Sequence, residues 1–164
     1  MKSKKSVNYK SSLSDFKNAL KQNGLKFTKQ REVVFKTLYD NDAHFTPESL
    51  YVLVKKTHPE LNVGMATIYR TLNLLEESKM ATSISFGVSG KKFELANKPH
   101  HDHMICQSCG LIIEFSSEEI EKLQNEIALK NNFEITSHLL QLRGICKQCR
   151  ENQTKNKKRE SIDI

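Results

Sequence analysis

Four cysteines stand in two CxxC pairs, Cys106-Gln107-Ser108-Cys109 and Cys146-Lys147-Gln148-Cys149, with 36 residues between them. Two thiolates spaced this way on a tight turn can fill adjacent corners of a tetrahedron, and two such turns complete the closed four-cysteine shell of structural zinc. A closed shell leaves no position at which water could be activated, so an ion held there fastens the chain and does not catalyse. Just upstream runs Pro99-His100-His101-Asp102-His103. Extended backbone alternates side chains between two faces, which sends His101 and His103 one way and His100 and Asp102 the other. One short strand can thus offer a ligand pair to each of two metal sites. Imidazole with carboxylate suits a divalent first-row ion such as Fe, Mn, Zn or Co.

The chain around these ligands has 164 residues, 37% hydrophobic and 27% charged, which fits one ordinary domain or two small ones and argues against a disordered chain. No apolar run approaches the roughly 18–20 residues of a membrane span. Met1-Lys2-Ser3-Lys4-Lys5 has no apolar stretch behind it, unlike a secretory leader. The expected setting is therefore the cytoplasm, where thiols stay reduced and metal ligation is favoured over disulfides. Residues 1–97 carry 16 Lys/Arg against 9 Asp/Glu, whereas residues 98–164 are balanced, so the net charge of +7 resides in the first half. Every cysteine lies in the second half. That asymmetry points to a polyanionic partner for the first half.

Four helices are expected to carry the basic half. The first starts at a capping box, Ser12-Leu13-Ser14-Asp15, presents Leu13, Phe16 and Leu20, and stops at Asn23-Gly24. Thr28 caps a second with Val33, Val34, Phe35 and Leu38 as its stripe. Thr46-Pro47-Glu48 opens a third, which buries Leu50, Leu53 and Val54 and stops near His58-Pro59. A fourth follows Asn62-Val63-Gly64 with Met65, Ile68, Leu72 and Leu75 inward. The period then changes. Thr82 to Phe86 and Lys92 to Leu95, about Gly87 to Gly90, read as a hairpin. Helices followed by a β-ribbon make a winged helix-turn-helix. The resulting division is a basic arm at 1–11, a winged-helix domain at 12–96, a hinge at 97–100, a small α/β domain at 101–150 and a disordered tail at 151–164. In the second domain, His103 to Cys106, Leu111 to Phe115 and Phe133 to Leu142 read as strands and Ser116 to Lys130 as a helix. A domain of this size has a thin core and needs a staple or a partner.

Over roughly residues 12–150 the chain resembles the ferric uptake regulator family. The residues that carry the likeness are Ala66-Thr67-Ile68-Tyr69-Arg70-Thr71-Leu72, Lys92-Phe93-Glu94-Leu95, His100 to Cys106, and both CxxC pairs. The resemblance implies an α+β protein with an amino-terminal winged helix-turn-helix domain and an α/β dimerisation domain holding a four-cysteine zinc site. It further implies a regulatory metal site formed by His44, Glu94, His101, His103 and Glu114, and a second site formed by His100, Asp102, Glu121 and His138. Peroxide sensors of the family tend to have aspartates where Glu94 and Glu114 stand, so the likeness favours an iron sensor. Fe2+ is the expected regulatory ion, replaceable by Zn2+, Mn2+ or Co2+, with Zn2+ on Cys106, Cys109, Cys146 and Cys149. Tyr69 and Arg70 match residues that read bases, and Lys26 matches a lysine that enters an A·T-rich minor groove. Arginine can donate two hydrogen bonds to guanine and a tyrosine ring can pack on a thymine methyl. Thr67 lies on the same helix, and Lys17, Lys21, Lys29 and Arg31 suit phosphate contacts.

The expected function is a metal-responsive repressor, a homodimer on palindromic A·T-rich double-stranded DNA, with no membrane partner, no small-molecule substrate and no enzymatic activity. Within the family, zinc or peroxide sensing is the alternative. From other classes, a metal-binding protein without DNA affinity conflicts with the basic half and the Tyr69-Arg70 helix. A metallohydrolase conflicts with the lack of HExxH, of a nucleophile motif and of a Gly-rich phosphate loop.

Overall fold

The computed structural model describes residues 8–85, 90–96 and 100–160, with side chains as far as 153. The chain divides into two compact units, Met1–Pro99 and His100–Ile164. The expected hinge at 97–100 and the hairpin tip at Phe86 to Ser89 lie almost wholly outside the described residues.

In the first unit, α1 (Tyr9–Gln22), α2 (Lys29–Asp40), α3 (Pro47–Thr57) and α4 (Met65–Glu77) precede the antiparallel pair β1 (Ala81–Ser85) and β2 (Lys91–Leu95). Thr28 and Thr46 cap α2 and α3 by accepting hydrogen bonds from the backbone N–H groups of Arg31 and Ser49. α1 starts earlier than its sequence suggests. Asn8, not Ser12, is the cap, and Ser12 is buried on the helix, so the last residues of the expected 1–11 arm are helical. The extra turn seats the Tyr9 ring against Phe35 and Tyr39, at 6.2 and 5.0 Å between centroids. Gly24 ends the helix at φ +65°, where a β-carbon would be strained. The core gathers Phe16, Leu20, Val34, Phe35, Leu50, Val54, Ile68, Leu72 and Leu75, with Phe16 stacked on Phe35 at 4.8 Å. Phe45, just ahead of α3, makes a two-hydrogen-bond bridge to Phe93 on β2.

In the second unit, β3 (Asp102–Cys106) lies between β4 (Ile112–Phe115), antiparallel to it, and β5 (Gln141–Gly144), parallel to it, with α5 (Glu118–Lys130) between β4 and β5 in sequence. The strand expected over Phe133 to Leu142 shrinks to β5. Its pairing runs only from His103↔Gln141 to Cys106↔Gly144, because β3 is five residues long and offers no partner further upstream. α6 (Lys147–Glu160) corrects the expected tail from 151 on. Its residues are polar on every side, so they carry no apolar stripe to read, yet Lys, Gln, Arg and Glu are good helix formers. Few apolar side chains of this unit are buried, chiefly Ile105 and Ala128, while Leu111, Ile113, Leu123, Ile127, Phe133 and Leu142 are exposed in the single chain. Among the described residues no helix is long and apolar enough to cross a membrane.

Phe16→Ala should destabilise the first unit by about 3–5 kcal/mol, because the vacated space lies inside a packed core. Val52→Ala on the exposed side of α3 should change it by no more than about 0.5 kcal/mol. Urea unfolding followed by circular dichroism distinguishes the two.

Candidate metal centres

The sheet of the second unit brings the cysteines together. β3 ends at Cys106, and a turn closed by the Gly110 N–H on the Cys106 carbonyl at 2.9 Å carries Cys109. β5 ends opposite Cys106, so Cys146 and, in the first turn of α6, Cys149 arrive at the same point. The four sulfurs lie within 4.8 Å of one another, and Cys109 and Cys146 are 3.8 Å apart. A tetrahedral zinc with bonds of about 2.3 Å has a sulfur–sulfur edge of about 3.8 Å. The donor set therefore fits zinc. The Cys146 N–H donates to the Cys106 sulfur at 3.3 Å, and this bond, with another from the Cys109 backbone, brings the Cys106 thiol down to about 6. The Ser108 hydroxyl favours a Cys149 thiolate, but hydrogen bonds with Cys146 and Cys109 outweigh it and push that thiol up to about 12.

A second group joins His100, Asp102 at the start of β3, Glu121 in the first turn of α5 and His138 in the segment before β5. His100 Nε2 lies 3.6 Å from Asp102 Oδ1 and 3.3 Å from Glu121 Oε1, and His138 Nε2 lies 3.6 and 3.4 Å from the same two oxygens. Metal–ligand bonds of about 2.0–2.2 Å give a tetrahedral edge of about 3.3–3.6 Å. The Asp102 side chain is 1% exposed, and neither of its oxygens accepts a hydrogen bond among the described residues. A carboxylate withdrawn from water in this way requires a cation. These residues fit a divalent ion.

The residues expected at the regulatory site come from both units. In the first, the Phe45–Phe93 bridge sets their chain neighbours His44 and Glu94 side by side, with His44 Nε2 3.3 Å from Glu94 Oε1 and both side chains buried. In the second, His103 faces Glu114 across the β3–β4 pair, His101 Nε2 lies 3.8 Å from Glu114 Oε1, and the His101 and His103 rings are 4.8 Å apart. Each half is a histidine–carboxylate set suited to the same class of ion.

The candidate DNA contacts lie on the first unit. Tyr69 and Arg70 are exposed on α4, with Thr67 half-buried beside them. Lys26 is exposed between α1 and α2, and its carbonyl accepts a 2.6 Å hydrogen bond from Arg31 Nη1. One contact has no signal in the sequence. The Tyr69 hydroxyl donates to Glu48 Oε1 on α3 at 2.6 Å, across 21 positions.

At pH 7 the metal-free protein already holds Cys106 as thiolate, so zinc binding to its four thiols should release fewer than four protons. Below about pH 6 that proton too must be displaced, and the count should rise by about one. Calorimetry in buffers of different ionisation enthalpy measures it. A count independent of pH would contradict the Cys106 assignment.

Residues 22–143 match the model of the ferric uptake regulator family. The ferric uptake regulation protein of Campylobacter jejuni is 60% identical over 151 residues, covering 92% of this chain and 96% of the relative. That of Helicobacter pylori is 38% identical over 141 residues, covering 86% and 93%. The solved Helicobacter pylori regulator, described as having three functional metal binding sites, superposes with a TM-score of 0.80 at 37% identity, over 90% of this chain and 97% of that one. The Pseudomonas aeruginosa regulator with manganese superposes at 0.67 with 34% identity, over 79% and 96%. With helices, wing and ligand-bearing strands in the same order as these relatives, the chain is a member of the ferric uptake regulator family.

Proposed function

We propose that this protein is an iron-responsive transcriptional repressor that binds palindromic A·T-rich DNA as a homodimer. The observation that carries the reading is the distribution of one ligand type over two units. A buried His44–Glu94 pair belongs to the unit with the basic helices, and His101, His103 and Glu114 belong to the unit with exposed apolar surface. On this reading the five side chains close on one ferrous ion, which supplies the positive charge that lets buried carboxylates and imidazoles converge. His44 and Glu94 then fix their unit to the one that dimerises.

Ile113 and Leu142 on the sheet and Leu123 and Ile127 on α5 supply the dimer surface, since apolar patches of this kind on a small unit call for a partner. Cys106, Cys109, Cys146 and Cys149 hold structural zinc and so maintain β3 and β5, on which that surface is built. His100, Asp102, Glu121 and His138 hold a further divalent ion that ties α5 to the sheet. Tyr69 and Arg70 read bases, Thr67 stands beside them, and Lys26 enters the minor groove.

Two recognition helices must meet half-sites on successive turns, so a dimer with unfixed heads has few competent arrangements and a reduced apparent affinity. Metal and operator binding are then reciprocally coupled. Intrinsic affinity at a nitrogen–oxygen site favours zinc over iron, and zinc sensing is the reading to set against iron. Fluorescence anisotropy on an A·T-rich palindrome, with the cysteine-bound zinc retained, provides the test. Ferrous ion should tighten binding by roughly 10- to 100-fold. His44→Ala should abolish that gain and leave the circular dichroism spectrum unchanged. A response to zinc alone would move the assignment to zinc sensing, and flat affinity with every ion would overturn the regulatory reading.

A further inference from the structure

We propose that Glu48 is a positioning residue for base recognition, holding the Tyr69 ring in the orientation that meets the thymine methyl. The inference rests on the proposed role of α4 in reading DNA and adds a residue from another helix to it. Tyr69 is 43% exposed on the outer face of α4, where nothing packs its ring into place. An exposed tyrosine on a helix has two accessible χ1 rotamers, and only a ring already in the right one contacts a base without an ordering cost. The 2.6 Å hydrogen bond from its hydroxyl to Glu48 Oε1 removes that freedom.

Glu48 is well suited to the task. It stands in the first turn of α3, behind the Thr46 cap and Pro47, where the positive end of the helix favours a carboxylate. The Tyr69 hydrogen bond and then its own backbone N–H hold its carboxyl below the usual range, so the acceptor is ionised at neutral pH. Hydrogen bonds to an ionised acceptor are shorter and about twice as strong as neutral ones. Its charge also argues for a role. An exposed carboxylate beside the proposed base-reading residues repels phosphates and weakens binding to any DNA. Here that carboxylate is aimed at a tyrosine and makes its contact through the hydroxyl.

The test is operator binding by the fully metal-loaded dimer, on the palindrome and on the same duplex with uracil replacing the thymines that face α4. Loss of a methyl contact should cost the wild type about fourfold. Glu48→Ala should bind the operator roughly tenfold less tightly and should no longer distinguish thymine from uracil. Glu48→Gln, which keeps an acceptor oxygen, should retain most of both. In a Tyr69→Phe background, Glu48→Ala should have no further effect, because the hydroxyl through which it acts is gone. Full thymine preference in Glu48→Ala, or an equal loss in the Tyr69→Phe background, would overturn the inference. Wild-type protein that ignores the operator would instead take down the DNA-binding reading on which it rests.

Discussion

Burying a carboxylate or a thiolate is unfavourable unless a cation or a full set of hydrogen bonds receives it, and this chain does so repeatedly. Asp102 is 1% exposed with both oxygens lacking hydrogen bonds among the described residues, and Glu94 is buried beside His44. Four sulfurs converge where two strands end. The geometry in each cluster agrees with a divalent ion: sulfur separations match a tetrahedral zinc–thiolate edge, and nitrogen–oxygen separations match the shorter edge of a mixed site. Much of the second unit depends on this compensation, since Ile105 and Ala128 make a thin core. Folding and metal capture are then two descriptions of one equilibrium.

From that constraint a regulator follows by short steps. The Phe45–Phe93 bridge is a local matter of strand pairing, yet it puts His44 beside Glu94 in the unit that carries Tyr69, Arg70 and Lys26. The alternation of β3 puts His103, with His101 ahead of it, on the Glu114 side and gives Asp102 to the opposite group. On the proposed reading, an ion claimed by both histidine–carboxylate sets restricts how the DNA-reading heads of a dimer are presented. Specificity for iron then comes from geometry and metal availability, since intrinsic affinities run the other way.

Much of this was legible in residues whose local chemistry has one good solution. Thr28 and Thr46-Pro47-Glu48 start helices wherever they stand before an apolar stripe, and the two histidine faces follow from the period of a strand. What escaped reading depends on tertiary partners. The early start of α1 is set by Tyr9 packing on Phe35 and Tyr39, and the short β5 by the length of β3. α6 has no apolar periodicity to betray it. The Tyr69–Glu48 bond joins residues whose separate roles, base contact and first-turn acid, gave no hint of each other. Which glutamates and which distant histidines complete each ligand set came from family likeness, because spacing alone does not bring residue 121 or 138 to residue 100.

The central claim is that an ion held jointly by His44, Glu94, His101, His103 and Glu114 fixes one unit against the other. Electron paramagnetic resonance between a spin label on α2 and one on α5 tests it most directly, with zinc as the diamagnetic ion at that site. The account requires a broad distance distribution with the regulatory residues metal-free and the cysteine zinc retained, narrowing to a single peak on metal loading. A distribution equally broad, or equally narrow, in both states would contradict it.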